Sequence, residues 1–127
     1  MKRVLIIASL LTIMVGCKTT ECTMSKCDKG EKSGIESYFK EQKAVQTSVL
    51  FSGEQGKTIA LKIEAGEKLK EHTSPVDAFL ICVKGEGFYA TEKGDTTAMK
   101  SGDYVFIEAD LKHEVVAEKE SHFLLIK

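Results

Sequence analysis

Apolar and polar residues alternate with a period of two along most of the chain beyond residue 43. Between residues 57 and 65, Ile59, Leu61 and Ile63 fall on one side while Thr58, Ala60, Lys62 and Glu64 fall on the other. This predicts a strand with one core face and one wet face. Residues 44–51, rich in Val, Thr and Phe, precede Gly-Glu-Gln-Gly at 53–56, and the two runs read as a hairpin. The rhythm continues through an apolar run at 78–83 that ends near Gly85 and Gly87, a hairpin formed by 88–92 and 96–100 around Lys93-Gly94-Asp95, and strands at 104–108, 113–118 and 122–126. Short strands with almost no helix between them predict an antiparallel sandwich or barrel. Residues 35–40 could supply one helical turn, with Ser33 as its cap.

The first sixteen residues follow a different pattern. Lys2 and Arg3 precede an uncharged run from 4 to 15, which is short for a bilayer span and the right length for a signal-peptide core. Met14-Val15-Gly16-Cys17 resembles the lipobox of bacterial lipoprotein precursors, with Met14 where leucine is usual. That resemblance implies cleavage before Cys17, lipid attachment to its sulfur, and a protein tethered to a membrane of the bacterial cell envelope on the extracytoplasmic side, where two or more acyl chains anchor stably. Residues 17–43 then comprise the lipidated cysteine and a tether with the short helix near its end. Residues 18–33 are mostly Thr, Ser, Lys and Glu, with little to bury. Cys22 and Cys27 in that tether are expected to form a small disulfide loop or remain thiols rather than hold zinc, since no second ligand pair lies nearby.

Composition narrows the picture only modestly. The 127 residues are 43% hydrophobic and 29% charged, suited to one globular domain at residues 44–127 and unlike a disordered chain. Two of the 18 basic residues lie in the first sixteen, leaving 16 against 19 acidic ones. A mature net charge of about −3 gives no basic stripe for nucleic acid.

Two glycine-led stretches carry the chemistry. Counting from Gly66 in Gly-Glu-Lys-Leu-Lys-Glu-His-Thr-Ser-Pro-Val-Asp-Ala reaches His72, Ser74 and Ala78 before Gly85; counting from Gly102 reaches Glu108, Asp110, His113 and Ala117. The spacings resemble the two motifs of small single-domain cupins. The first motif has Gly, five residues, His-x-His, three or four residues, Glu, six residues and Gly. The second has Gly, five residues, Pro-x-Gly, two residues, His, three residues and Asn. Here His72 and His113 occupy histidine positions, whereas Ser74 stands at the second histidine, Ala78 at the glutamate, Asp110 at the second motif's internal glycine and Ala117 at the asparagine. The resemblance implies an all-β, cupin-type antiparallel barrel or double-sheet jelly roll, with both histidines at its mouth. Residues 71–78 look like a cupin subgroup reading Glu-His-Thr-x-Pro-x-Asp-Ala, whose activity is generally unassigned.

In complete cupins three histidines and a glutamate hold Fe, Mn, Zn or Ni, and imidazole and carboxylate suit those metals. This chain offers two matching ligands, so a mononuclear site would need help from Asp77, Cys82 or a second chain; the alternatives are a weakly held divalent metal, histidines that hydrogen-bond a small polar ligand or water without a metal, and histidines that are purely structural. Alternation puts Ala78, Leu80 and Cys82 on one inward face and Asp77 on the other. The expected pocket is lined by His72, Ser74, Ala78, Cys82 and His113. His122, beside the charged residues at 118–120, is expected at the surface. Tyr104 and Phe106 share one face and Val105 and Ile107 the other, for core packing or contact with a second copy in a homodimer. Three functions follow: a membrane-anchored barrel that binds a small molecule; a metal-dependent isomerase, oxygenase or lyase acting on a small metabolite; and a structural or interaction module. No serine-histidine-acid arrangement suggests hydrolysis.

Overall fold

A computed structural model describes residues 34–127, which lie in one compact unit, Ser33–Lys127. Nine strands follow a 3₁₀ turn at Ile35–Tyr38: β1 (Val45–Gly53), β2 (Gly56–Ile63), β3 (Lys68–His72), β4 (Ala78–Lys84), β5 (Glu86–Thr91), β6 (Thr96–Lys100), β7 (Tyr104–Ile107), β8 (His113–Ala117) and β9 (Ser121–Ile126). They form a five-stranded sheet ordered β1-β2-β9-β4-β7 and a four-stranded sheet ordered β3-β8-β5-β6. All pairings are antiparallel, as the period-two pattern predicts. The anchor, Cys17, and the cysteines Cys22 and Cys27 lie outside the described residues, as does Ser33. The residue at the start of the 3₁₀ turn is Gly34, without a side-chain cap.

The core lies between the sheets. Leu61 and Ile63 of β2, Ala78, Leu80 and Cys82 of β4, Phe123 of β9, Val115 and Ala117 of β8 and Tyr89 of β5 form one buried cluster. Burying each large side chain contributes roughly 1.5–3 kcal/mol, which sets strand register because a one-residue slip would expose the whole set.

The outer face of the five-stranded sheet departs from the expectation of a wet surface. Register places Gln46, Lys62 and His122 together at one end of that face, then Ser48, Ala60, Leu124, Ile81 and Tyr104, then Phe51, Thr58, Ile126, Phe79 and Phe106. Ala60, expected on the wet side, is fully buried. So is His122, at 2% exposure, which corrects its expected surface position. The chain ahead of β1 explains this burial around His122: Phe39 packs its ring 5.1 Å from the imidazole, and Glu36 reaches Lys84 at 2.7 Å. Thus part of the stretch expected to be tether lies against the barrel.

Candidate site at the barrel mouth

The two motif loops are tied to each other by the residues between the histidines and their neighbouring strands. Asp110 donates its backbone N–H to the Ser74 carbonyl at 2.7 Å, and Asp77 Oδ1 accepts the Ala109 N–H at 2.9 Å. Asp110 has φ 62°, a left-handed conformation that aspartate tolerates better than most residues. It stands where the second cupin motif has glycine, so the backbone requirement survives the change of side chain.

This cross-tie accompanies direct pairing of His72 in β3 with His113 in β8. Their ring centroids are 4.4 Å apart and tilted by 58°. His72 Nδ1 is 2.8 Å from the Lys70 carbonyl, and His113 Nδ1 is 2.8 Å from the Leu111 carbonyl. A carbonyl only accepts, so each Nδ1 carries the proton, and each neutral ring keeps its lone pair on Nε2. The same use of backbone to fix the tautomer is common behind metal-binding histidines. His113 is buried and His72 exposed.

The histidines line a partly open space of about 40 Å³ together with Thr73, Ser74, Ala78, Leu80 and Lys127, among others. Ser74 and Ala78 therefore lie where expected, although Ser74 Oγ donates to the Val76 carbonyl at 2.6 Å. Two expected helpers are displaced. Asp77 is occupied by the Ala109 N–H and does not line the cavity. Cys82 points inward and is fully buried, as parity predicts, but it also lies outside the lining. Four residues of strand beyond Ala78 carry it roughly 13 Å along the barrel, where its Sγ faces the Lys84 and Gly85 carbonyls at 3.5 and 3.8 Å. Burial pushes its thiol pKa up. Among the described residues, no group of three or more His, Cys, Asp or Glu side chains is arranged to hold a metal ion.

Sequence reasoning missed Tyr89 and Thr91. Tyr89 packs 5.4 Å from the His113 ring, on the same inward face, and Thr91 is the direct β5 partner of His113. Both hydroxyls are buried without a hydrogen-bonding partner among the described residues. Their alternation along β5 was the available signal, since Gly87, Tyr89 and Thr91 share a face.

Burial is the main influence lowering the His113 pKa below its ordinary value, with a smaller push from His72 opposing the Leu111 carbonyl. Burial also lowers that of His122, followed by Lys84, while Glu120 and Glu36 oppose and Lys62 adds a further push downward. Glu120 Oε1 is 3.4 Å from His122 Nε2, yet neither ring nitrogen has an aligned hydrogen bond among the described residues. Because both folded-state pKa values lie below the ordinary 6.5, the unfolded chain binds more protons as pH falls through that value. Stability should be full above about pH 6.5, decline below it, and level off beneath the folded values. Urea midpoints measured from about pH 8 to about pH 5 check this, and His122→Phe should flatten the decline. An unchanged slope in that variant would assign the acid response elsewhere.

The comparisons agree with this architecture. An uncharacterised conserved protein with a double-stranded β-helix domain from Klebsiella pneumoniae subsp. pneumoniae MGH 78578 is similar at TM-score 0.67 and 16% identity, covering 77% of this chain and 89% of that one. A cupin superfamily protein from Desulfitobacterium hafniense DCB-2 is similar at TM-score 0.65 and 14% identity, covering 73% and 84%. A cupin-like protein from Thermotoga maritima MSB8 reaches 25% identity at TM-score 0.59, covering 65% and 67%. No curated protein matches the sequence. The Cupin domain family model matches residues 60–127, over half of the chain, and with two antiparallel sheets packed around one buried core this chain belongs to the cupin family.

Proposed function

We propose that the barrel mouth binds one small guest between His72 and His113, and that a weakly held divalent cation with its own water is the guest best matched to the site. The observation carrying this reading is the pair of adjacent, backbone-fixed imidazoles, in which the Nδ1–carbonyl contacts leave the lone pair on Nε2. Imidazole suits Fe, Mn, Zn and Ni. The space of about 40 Å³ suits an ion and a water better than a metabolite, for which pockets are roughly 300 Å³ or larger. A larger small molecule would rest over the mouth, reaching inward with a hydrogen-bond donor.

Two imidazoles leave most of a coordination shell to water, so affinity is modest and a chelator removes the ion without unfolding the domain. When bound, a divalent ion supplies Lewis acidity at the mouth. His72 and His113 would hold it, and Ser74 and Ala78 shape the wall in place of further ligands. Thermal melts with manganese or nickel chloride test the reading. An increase in stability that is reversed by chelation is expected, reaching about 2.7 kcal/mol at a hundredfold excess over Kd; no shift with either ion would count against the cation. A shift caused by an amine or hydroxyl compound that survives chelation would favour the small-molecule form of the same site.

The reading places this barrel on the extracytoplasmic side of a bacterial membrane, held by lipid on Cys17. Its support is the charged start, short apolar run and lipobox-like Val-Gly-Cys of the sequence. Cys17→Ser should abolish lipidation and release or mislocalise the protein, followed by membrane fractionation and precursor size. Retention of an uncut precursor in the membrane would indicate an N-terminal helix as anchor instead.

A further inference from the structure

The hydrogen-bond ladder between β2 and β9 runs one residue beyond the end of β9. Lys57 N–H donates to the Lys127 carbonyl at 2.7 Å, and Lys127 N–H to the Lys57 carbonyl at 3.0 Å. Residues that exchange both bonds stand directly opposite each other, with Cα atoms roughly 5.5 Å apart. Alternation also gives the two lysines one face, since Lys57 has the parity of Leu61 and Ile63, and Lys127 that of Phe123 and Leu125, all of which serve the core. Two like charges are thus paired on the inward side of the sheet at its mouth end, an arrangement that is destabilising when nothing compensates it. Among the described residues neither ammonium has a carboxylate within ion-pairing distance, unlike Lys62, Lys68 and Lys84.

Both lysines border an open groove of about 400 Å³, which they share with Ser52 and Glu54 near the β1–β2 turn and with Pro75 and Val76 of the loop after β3. Lys127 also lines the smaller space beside His72 and His113, so groove and mouth meet there. The groove has the dimensions of a metabolite site, for which roughly 300–1,000 Å³ is usual. Pro75 and the exposed Val76 give it an apolar wall, and its charged side chains are Lys57, Lys127 and Glu54, two positive against one negative. We propose that this groove binds a small organic carboxylate, with the anionic head between the Lys57 and Lys127 ammonium groups and the apolar body along Pro75 and Val76. A carboxylate has two oxygens, so it accepts a charge-assisted hydrogen bond from each ammonium and offsets their repulsion. Inorganic phosphate would satisfy the lysines and leave the apolar wall bare. The site uses neither imidazole, so it stands whether or not the histidines hold an ion.

The test uses the full chain, purified in a non-ionic detergent and stripped of metal on a chelating resin. Saturation-transfer NMR follows sodium butyrate, with 1-butanol and butylamine as probes of similar apolar body that lack the anion, each read against detergent alone. Butyrate should give a saturable signal that fades as sodium chloride rises from about 50 to about 500 mM, because salt screens exposed charges. Butanol and butylamine should give none. Lys57→Met and Lys127→Met keep the length of the side chain and should each weaken butyrate binding about tenfold, the weight of one charge-assisted contact. Lys57→Arg and Lys100→Met, the latter on the opposite sheet, should retain it. Far-ultraviolet spectra establish that the strands persist; if Lys127→Met disturbs them, Lys127→Gln replaces it and the same loss is required. No butyrate signal, an equal signal from butanol, displacement of butyrate by equimolar inorganic phosphate, binding unaltered in both folded lysine variants, or an equal loss in Lys100→Met would each overturn the proposal.

Discussion

Gly87→Ala should leave little folded protein, with a loss of more than about 3 kcal/mol out of a total that is only about 5–15 kcal/mol for such a domain. Gly87 lies on the inward side of β5, paired with Ala117 of β8 and Met99 of β6. A Cβ there would stand 2.1 Å from the Val116 carbonyl oxygen and 3.2 Å from the Ala117 Cα. Both obstacles are backbone, so no rotamer change relieves the overlap. β8 would have to move away, and it carries Val115 in the core and His113 at the mouth. Such overpacking normally costs about 1–3 kcal/mol when side chains can adjust; displaced backbone should cost more. Urea denaturation followed by circular dichroism measures the loss. A midpoint close to that of the parent would mean that the β5–β8 spacing yields easily.

The second large effect is expected at the mouth itself. His72→Ala and His113→Ala should each reduce manganese or nickel affinity at least about tenfold, and the double variant should lose little more, because groups sharing one guest do not act additively. Calorimetric titration of the four proteins reads the result. Fully additive losses, or parental affinity in either single variant, would mean that the two rings serve different guests. Stability should separate them as well. His113 is buried with a direct contact to Tyr89, whereas His72 is exposed, so His113→Ala should cost more of the fold.

Much of this arrangement could be read from residues 44–127, and the exceptions share a cause. Alternation gave the strands, and turn residues such as Gly94 and Gly102 marked their ends. The spacing from Gly66 and Gly102 singled out His72 and His113, which the fold pairs directly. Alternation reports which way a side chain points, however, and says nothing of depth along a barrel: Cys82 has the expected direction yet misses the cavity. It is equally blind to a covering segment. His122 is surrounded in sequence by Glu118, Lys119, Glu120 and Ser121, and its burial depends on Phe39, more than eighty residues earlier. Asp77 illustrates a third limit, because a carboxylate suitable for a metal is equally suitable for the Ala109 N–H when the two loops meet.

The position of β9 also bears on how the molecule is made. It is the last of the nine described strands in sequence, yet it lies in the middle of the five-stranded sheet, between β2 and β4. Phe123 and Leu125 enter the core from it, and Lys127 exchanges backbone hydrogen bonds with Lys57 at 2.7 and 3.0 Å. Until residues 121–126 emerge from the ribosome, β2 and β4 lack their common neighbour and each keeps an open edge. Pairings across such long stretches of chain are slow to form, and the incomplete sheet is prone to aggregate. A nascent chain of this topology therefore cannot close its five-stranded sheet before residues 121–126 are available, however much of the rest has already been made.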